Sequence, residues 1–160
     1  MARNEIFIRA RPEAVFEVLA DARTYGEWVV GSRKVRAADE HWPAPGSAFD
    51  HSVGKAPVII RDDTTVVDAR PPEMLELRAR ARPFPTGRIT LCLRPDGDGT
   101  RVTMIEEPTS PVVGRLGGRL LDAAIRLRNR GSLRRLKALA EGTAPRPEEA
   151  LPRRQGSRAA

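Results

Sequence analysis

Apolar and polar residues alternate along most of the chain between Asn4 and Glu107. The clearest run is 74–82, in which Leu75 and Leu77 fall in one phase and Glu76 and Arg78 in the other. A period of two predicts strands with one dry and one wet face, and clean alternation favours an antiparallel sheet. Strands are expected over 4–9, 34–40, 47–53, 58–69, 74–82, 88–94 and 100–107.

Three stretches change to a helical period. After Pro12, Val15 and Leu19 lie at helical spacing, and a second short helix is expected over 23–29. Ser110 and Pro111 then begin the longest helix, because serine is a favoured N-cap and proline a favoured first helical residue. This helix is predicted to end near Glu141, before Gly142.

The order of these elements predicts an α+β domain over residues 1–142. A curved antiparallel sheet of about seven strands is expected to wrap on the long C-terminal helix, with two short helices after the first strand. Such a sheet leaves a gap under the helix that side chains do not fill completely. Residues 143–160 contain almost no large apolar residue and are predicted to form a disordered basic tail.

Charge is distributed unevenly. The 160 residues carry a net charge of +7, yet residues 111–160 contain 12 basic and 4 acidic residues, whereas the preceding 110 contain 16 and 17. The excess positive charge therefore belongs to the C-terminal helix and tail. Seven aromatic residues in the whole chain are few for stacking on bases, so no specific nucleic-acid partner is expected.

Several classes of site are excluded by composition. One cysteine, Cys92, and two histidines argue against a zinc site of the Cys/His kind, and no phosphate-binding or dinucleotide-binding glycine motif is present. No cofactor and no metal is expected. Because no apolar run approaches a membrane span and the N-terminus lacks a signal-peptide core, a cytoplasmic location is expected.

The order of short motifs along residues 2–141 resembles the START-like (SRPBCC) superfamily, in particular its polyketide cyclase/dehydrase and lipid-transport-like group. The motifs are an Asp–Tyr–Trp cluster at 21–28, a Pro-Pro turn within 67–75, the segment 99–107, and the helix end at 133–141. The resemblance implies a helix-grip fold with a ligand cavity under the C-terminal helix. It implies no single reaction and no shared set of catalytic residues.

Two polar residues are candidates for chemistry or ligand binding in that cavity. Glu106 shares its phase with Val102 and Met104, so it is expected either to face the cavity as an anchor or base, or to lie at the rim in water or paired with an arginine. His51 shares its phase with Phe49 and is either a proton shuttle or a hydrogen-bonded packing residue.

The cavity is expected to be mostly aliphatic. Trp28 either lines its mouth or locks the second short helix on the sheet. In the segment 61–63 either an Arg–Asp pair faces inward or an edge strand has both faces wet. The expected ligand-binding residues are Trp28, Phe49, His51, Leu77, Leu91, Met104, Glu106, Leu116 and Leu120.

The long helix has two apolar faces and one basic stripe. Leu116, Leu120, Ala123, Ala124 and Leu127 form the first face, and Leu121, Ile125, Leu136 and Leu139 form the second. The stripe of Arg115, Arg119, Arg126, Arg130 and Lys137 is either a solvated helix back or a contact for anionic lipid or RNA. Glycines within 112–120 suggest a weakened lid over the cavity.

The leading hypothesis is a carrier or sensor that binds an apolar or amphipathic small molecule, such as a lipid, a polyketide-like or an aromatic compound. One alternative is a polyketide aromatase/cyclase or dehydratase-type enzyme that uses Glu106 and His51. The other is a docking module for membrane or nucleic acid that uses the basic helix. Peripheral membrane contact and either a monomer or a homodimer are compatible with the sequence.

Overall fold

A computed structural model describes residues 1–55, 58–81, 84–108 and 115–154; in 53–60, 81–85 and 108–120 only the backbone of the described residues is considered. Strands and helices follow the order that the periodicity predicts. The strands are β1 (Ala2–Ile8), β2 (Ser32–Ala38), β3 (Ala48–Lys55), β4 (Val58–Arg70), β5 (Met74–Ala81), β6 (Phe84–Asp96) and β7 (Gly99–Pro108). The helices are α1 (Pro12–Ala20), α2 (Tyr25–Trp28) and α3 (Arg115–Ala140), with a 3-10 turn at Ala22–Thr24.

All seven strands form one antiparallel sheet in the order β1-β7-β6-β5-β4-β3-β2. The predicted alternation is observed, since Leu75 and Leu77 of β5 are buried while Arg78 is exposed. At the β6–β7 hairpin Asp96 pairs with Gly99, and Gly97 occupies the left-handed region with φ of 57°. The helix-grip architecture expected from the sequence is therefore confirmed.

Helices α1, α2 and α3 pack on the concave, apolar face of the sheet. Leu133, Leu136 and Leu139 of α3 are buried against this core. Helix α2 lies close to β2 because Gly26 has no side chain, and a Cβ there would stand 2.3 Å from the carbonyl oxygen of Arg33. This close approach places Tyr25 and Trp28 on the inner face of the sheet.

The middle of β4 is not an edge strand. Strand β4 lies between β3 and β5, so the interpretation of 61–63 as an edge with two wet faces is wrong. Alternation turns Asp62 inward, where it is buried, and Arg61 outward, where it is exposed.

One of the two apolar faces predicted for α3 is not the face that packs on the sheet. Ala123, Ala124 and Leu127 are exposed, and Leu127 is 72% exposed. The second face, which includes Leu136 and Leu139, is the one that packs on the sheet. Both faces satisfy a period of 3.6, so only docking on the sheet decided between them. The predicted lid at 112–120, with Leu116 and Leu120, lies outside the described side chains.

Residues 143–154 return to the sheet, whereas a disordered tail was expected from 143 onward. The amide of Ala38 donates to the carbonyl of Pro152 at 3.2 Å, and the amide of Arg154 donates to the carbonyl of Ala38 at 3.0 Å. Arg154 also binds Asp50 at 2.9 Å, and Leu151 packs against the core. Unpaired backbone groups at the edge of β2 provide the partners that the tail's composition does not reveal. Residues 155–160 lie outside the described chain.

Across the described ranges, none of the helices combines the length and the apolar character that crossing a bilayer requires.

Candidate functional site

A cavity of about 80 Å³ lies between the concave face of the sheet and the inner side of α3. Its walls combine apolar side chains with polar groups from α2, β3, β7 and α3. Gly31 and Arg80 in the lining are exposed, so the cavity reaches the surface on their side. The lining residues are Tyr25, Trp28, Val29, Val30, Gly31, Ser32, His51, Ala79, Arg80, Gly87, Ile89, Met104, Glu106, Arg128, Asn129 and Ser132.

The strongest polar anchor is the Glu106 carboxylate, which lies buried near the end of β7. Its Oε2 accepts a hydrogen bond from the Arg128 guanidinium and another from Asn129 Nδ2 at 3.0 Å. The nearest atom to a Cβ built at Gly87 is Glu106 Oε1, at 3.6 Å. The sequence offered an inward-facing Glu106 or a rim Glu106 paired with an arginine. The structure has a part of each, because Glu106 faces inward and is paired with Arg128.

We expect Arg128→Met to destabilise the protein because the buried Glu106 carboxylate loses one of the two donors that the structure describes for it and keeps Asn129. The Arg128 side chain is 38% exposed, so water replaces part of the lost interaction and the free energy of unfolding should fall by only about 1–2 kcal/mol. Urea unfolding of Arg128→Met, Glu106→Gln and the double variant measures the coupling. The exposed Arg78→Met is the matched control, and additive effects of the two substitutions would contradict the predicted pairing.

Asn129 and Ser132 connect α3 to the rest of the site. Asn129 accepts hydrogen bonds from Nε and Nη2 of Arg128 at 3.3 and 3.2 Å, which orients the guanidinium. Ser132 Oγ accepts from the backbone amide of Val30 at 3.0 Å and donates to the carbonyl of Arg128 at 3.2 Å. The loop after α2 is thereby held against α3 at the wall of the cavity.

His51 provides a second polar group at the other side of the cavity. Its Nδ1 lies 3.5 Å from Ser32 Oγ and its Nε2 lies 3.3 Å from Thr64 Oγ1. Burial lowers the pKa of His51 from 6.5 to about 4, although the charge of nearby Asp62 acts in the opposite direction. The imidazole is therefore neutral at pH 7 and offers one donor and one acceptor nitrogen.

Tyr25 contacts His51 and is close enough to Glu106 and Arg128 to be affected by their charges. Its ring makes an edge contact with His51 at 5.5 Å between ring centres. Burial raises the pKa of the Tyr25 phenol to about 12, while a hydrogen bond with Thr64 and the charge of Arg128 oppose the shift. The phenol therefore remains protonated and can donate a hydrogen bond.

The structure brings together four of the residues that the sequence proposed for ligand binding: Trp28, His51, Met104 and Glu106 all line the cavity. Phe49, Leu77 and Leu91 are buried in the core and are not part of the cavity lining. The remaining two, Leu116 and Leu120, have side chains outside the described part of the structure. Trp28 lines the cavity and is also buried in the core, so it does not lie at a solvent-exposed mouth.

Sequence reasoning missed the polar residues that α3 contributes. Arg128, Asn129 and Ser132 fall on the same side of the helix as Ile125 and Leu136, at about 100° per residue. The sequence shows that these polar residues interrupt an apolar face of the helix. Whether they enter a site depends on which face of the helix packs on the sheet. Within the described ranges, no three His, Cys, Asp or Glu side chains converge as metal ligands.

Comparisons with known proteins agree on family and fold. The family model described as polyketide cyclase/dehydrase and lipid transport matches residues 2–141. No curated protein matches the chain in sequence. The crystal structure of the Zhui aromatase/cyclase from Streptomyces sp. R1128 is 18% identical with a TM-score of 0.68, over 88% of this chain and 92% of that one.

Two further solved structures have the same fold. The di-domain ARO/CYC StfQ from the steffimycin biosynthetic pathway is 16% identical with a TM-score of 0.67, over 88% of this chain and 50% of that one. A protein from Chromobacterium violaceum is 19% identical with a TM-score of 0.68, over 87% of this chain and 96% of that one. At these identities the likeness establishes the shared architecture.

Proposed function

The chain belongs to the polyketide cyclase/dehydrase and lipid transport family, and from this premise we propose that it binds an apolar or amphipathic small molecule as a carrier or sensor. The observation that carries the proposal is the cavity under α3, whose apolar walls include Trp28, Ile89 and Met104. Small-molecule sites combine apolar walls with placed polar groups. Polar side chains make up half of the lining here, so the expectation of a mostly aliphatic cavity is wrong.

The polar groups indicate which end of a ligand is recognised. Tyr25 is protonated and His51 is neutral at pH 7, so both suit an uncharged hydroxyl or carbonyl group. A charged headgroup is disfavoured at this side because burial already excludes charge from both side chains. The ligand is therefore proposed to insert a compact apolar part that carries one neutral oxygen.

Cavity volume limits the size of what enters. Drug-sized ligands occupy pockets of roughly 300–1,000 Å³, and the observed cavity of about 80 Å³ is far smaller. In this conformation it accommodates a ring or the end of a chain rather than a whole lipid. A larger ligand would extend past Gly31 and Arg80, where the cavity opens.

Filling the cavity should weaken ligand binding without unfolding the protein. Ala79 lies in the lining, so Ala79→Leu places additional carbon atoms in the space and should weaken the affinity for naphthol, a small aromatic alcohol, by about tenfold or more. Fluorescence titration of naphthol measures the affinity, and circular dichroism checks the fold.

The matched control is Ala150→Leu, which adds the same side chain at an exposed position. Equal naphthol affinity in Ala79→Leu and in the unmodified protein would contradict the proposal, as would a complete lack of naphthol binding by the unmodified protein. Weakened binding in both variants would indicate adsorption to the surface rather than entry into the cavity.

An aromatase/cyclase or dehydratase-type enzyme is the second candidate, because ionisable groups of Tyr25, His51 and Glu106 converge on one cavity. Efficient general acid–base catalysis needs pKa values near the working pH. The pKa of His51 is lowered to about 4 and that of Tyr25 is raised to about 12, both away from neutrality. These directions favour hydrogen bonding over proton transfer, and binding remains the better-supported function.

A further inference from the structure

The outward face of α3 carries an apolar stripe that no described part of the chain covers. Leu127 is 72% exposed, and Ala123 and Ala124 are exposed beside it. An exposed leucine on its own is ordinary, but three adjacent apolar residues on one helix face form a continuous strip.

Exposed arginines lie along one side of this strip. Arg126, Arg130 and Arg134 are exposed, and none of them forms an ion pair with a residue that the structure describes. The acidic residue nearest to them on α3, Asp122, binds the amino group of Met1 at 3.1 Å instead. The outward face is thus both apolar and strongly positive.

Lys137 does not belong to this surface, although the sequence grouped it with the basic stripe. Its Nζ donates to the carbonyl of Phe7 at 2.9 Å and to Glu141 at 2.6 Å. The charged surface therefore lies in the part of α3 that precedes Lys137.

We infer that this face of α3 docks on an anionic lipid surface. A helix with a strip of leucine and alanine and a row of arginines beside it inserts the apolar strip between headgroups while the guanidinium groups bind phosphate. A second copy of the chain would bring unpaired arginines against arginines. A nucleic acid would leave Leu127 and its neighbours without an apolar partner.

The docking surface and the cavity lie on opposite sides of the same helix. Arg126 and Leu127 point outward, whereas Arg128 and Asn129 line the cavity. A protein docked through α3 would therefore hold its cavity next to the membrane without using any lining residue for the contact. Docking is independent of the proposed ligand binding and is tested separately.

The test is co-sedimentation of the full chain with phosphatidylcholine vesicles, with and without one third phosphatidylserine. Binding to the anionic vesicles at low salt, its loss at high salt, and little binding to phosphatidylcholine alone are expected. Arg126→Gln with Arg130→Gln should weaken binding by about fivefold for each arginine, or about 25-fold together. Leu127→Gln should also weaken it while leaving naphthol affinity unchanged.

The control is Arg78→Gln with Arg94→Gln, which removes the same charge from exposed positions on the outer face of the sheet. An equal loss of binding in this control would overturn the inference, because net charge alone would then explain the adhesion. Equal binding to uncharged vesicles would overturn it as well. So would a dimer in sedimentation equilibrium that Leu127→Gln dissociates, because a second copy would then occupy the face.

Discussion

Replacement of Phe49 by alanine is expected to lower the free energy of unfolding by about 3–5 kcal/mol, the usual cost of deleting a large buried ring. Phe49 is fully buried on β3. Its ring centre lies 4.4 Å from that of Tyr25, 4.7 Å from that of Trp42 and 5.4 Å from that of His51, all in edge-to-face geometry. Removing it would leave a void at the junction of α2 with the sheet.

Urea unfolding followed by tryptophan fluorescence measures this effect. Phe7→Ala is the matched control, because the Phe7 ring is only half-buried beneath Arg101 and Lys137 and should cost clearly less. Equal losses in the two variants would refute a central structural role for Phe49. Since Phe49 is not part of the cavity lining, Phe49→Leu should leave naphthol affinity nearly unchanged, in contrast to the role that the sequence suggested.

Acidification is expected to destabilise the protein by about 3 kcal/mol through His51 alone. The pKa of this imidazole is lowered by burial from 6.5 to about 4 in the folded protein. Between these values the unfolded chain binds a proton that the folded protein does not bind. The contribution of His51 is therefore complete above about pH 6.5 and is lost as the pH falls to about 4, by about 1.4 kcal/mol per unit of pKa difference.

The free energy of unfolding of the protein and of His51→Gln, measured from pH 7.5 to pH 4, isolates this contribution. The difference between the two curves should change by about 3 kcal/mol across the window. His41→Gln is the control, because His41 is exposed and the variant should keep the full pH dependence. Parallel curves for the protein and His51→Gln would show that the buried imidazole does not control acid stability.

Both predictions concern the side of the site formed by β3 and α2, where the aromatic core and the cavity lining share residues. His51 contacts Phe49 and Tyr25, so it belongs to the aromatic core and also to the cavity lining. Glu106 and Arg128 form the opposite side, where Glu106 is buried and Arg128 is partly exposed. We therefore expect a substitution at Arg128 to change the cavity lining with less loss of stability than a substitution at His51.

Periodicity alone was enough to predict the strands, and it placed the polar candidates in the phase of the core. Strict alternation over β5 and β7 determines which side chains face the core, since a period of two allows only two faces. Glu106 shares its phase with Val102 and Met104, and His51 shares its phase with Phe49, but the sequence left open whether Glu106 faces the cavity or lies at its rim. The order of the elements placed the long helix over that face, and the family resemblance implied the same arrangement.

What the sequence left open was decided by contacts between distant elements. Two faces of α3 have equivalent helical spacing, and packing of Leu136 and Leu139 on the sheet exposed Leu127 and turned Arg128 and Asn129 toward Glu106. Likewise, the edge of β2 binds residues 152–154, although their composition resembles a disordered tail. The local pattern determines which faces of a strand or helix are apolar. Partners from elsewhere in the chain determine which of those faces is buried and which polar groups meet.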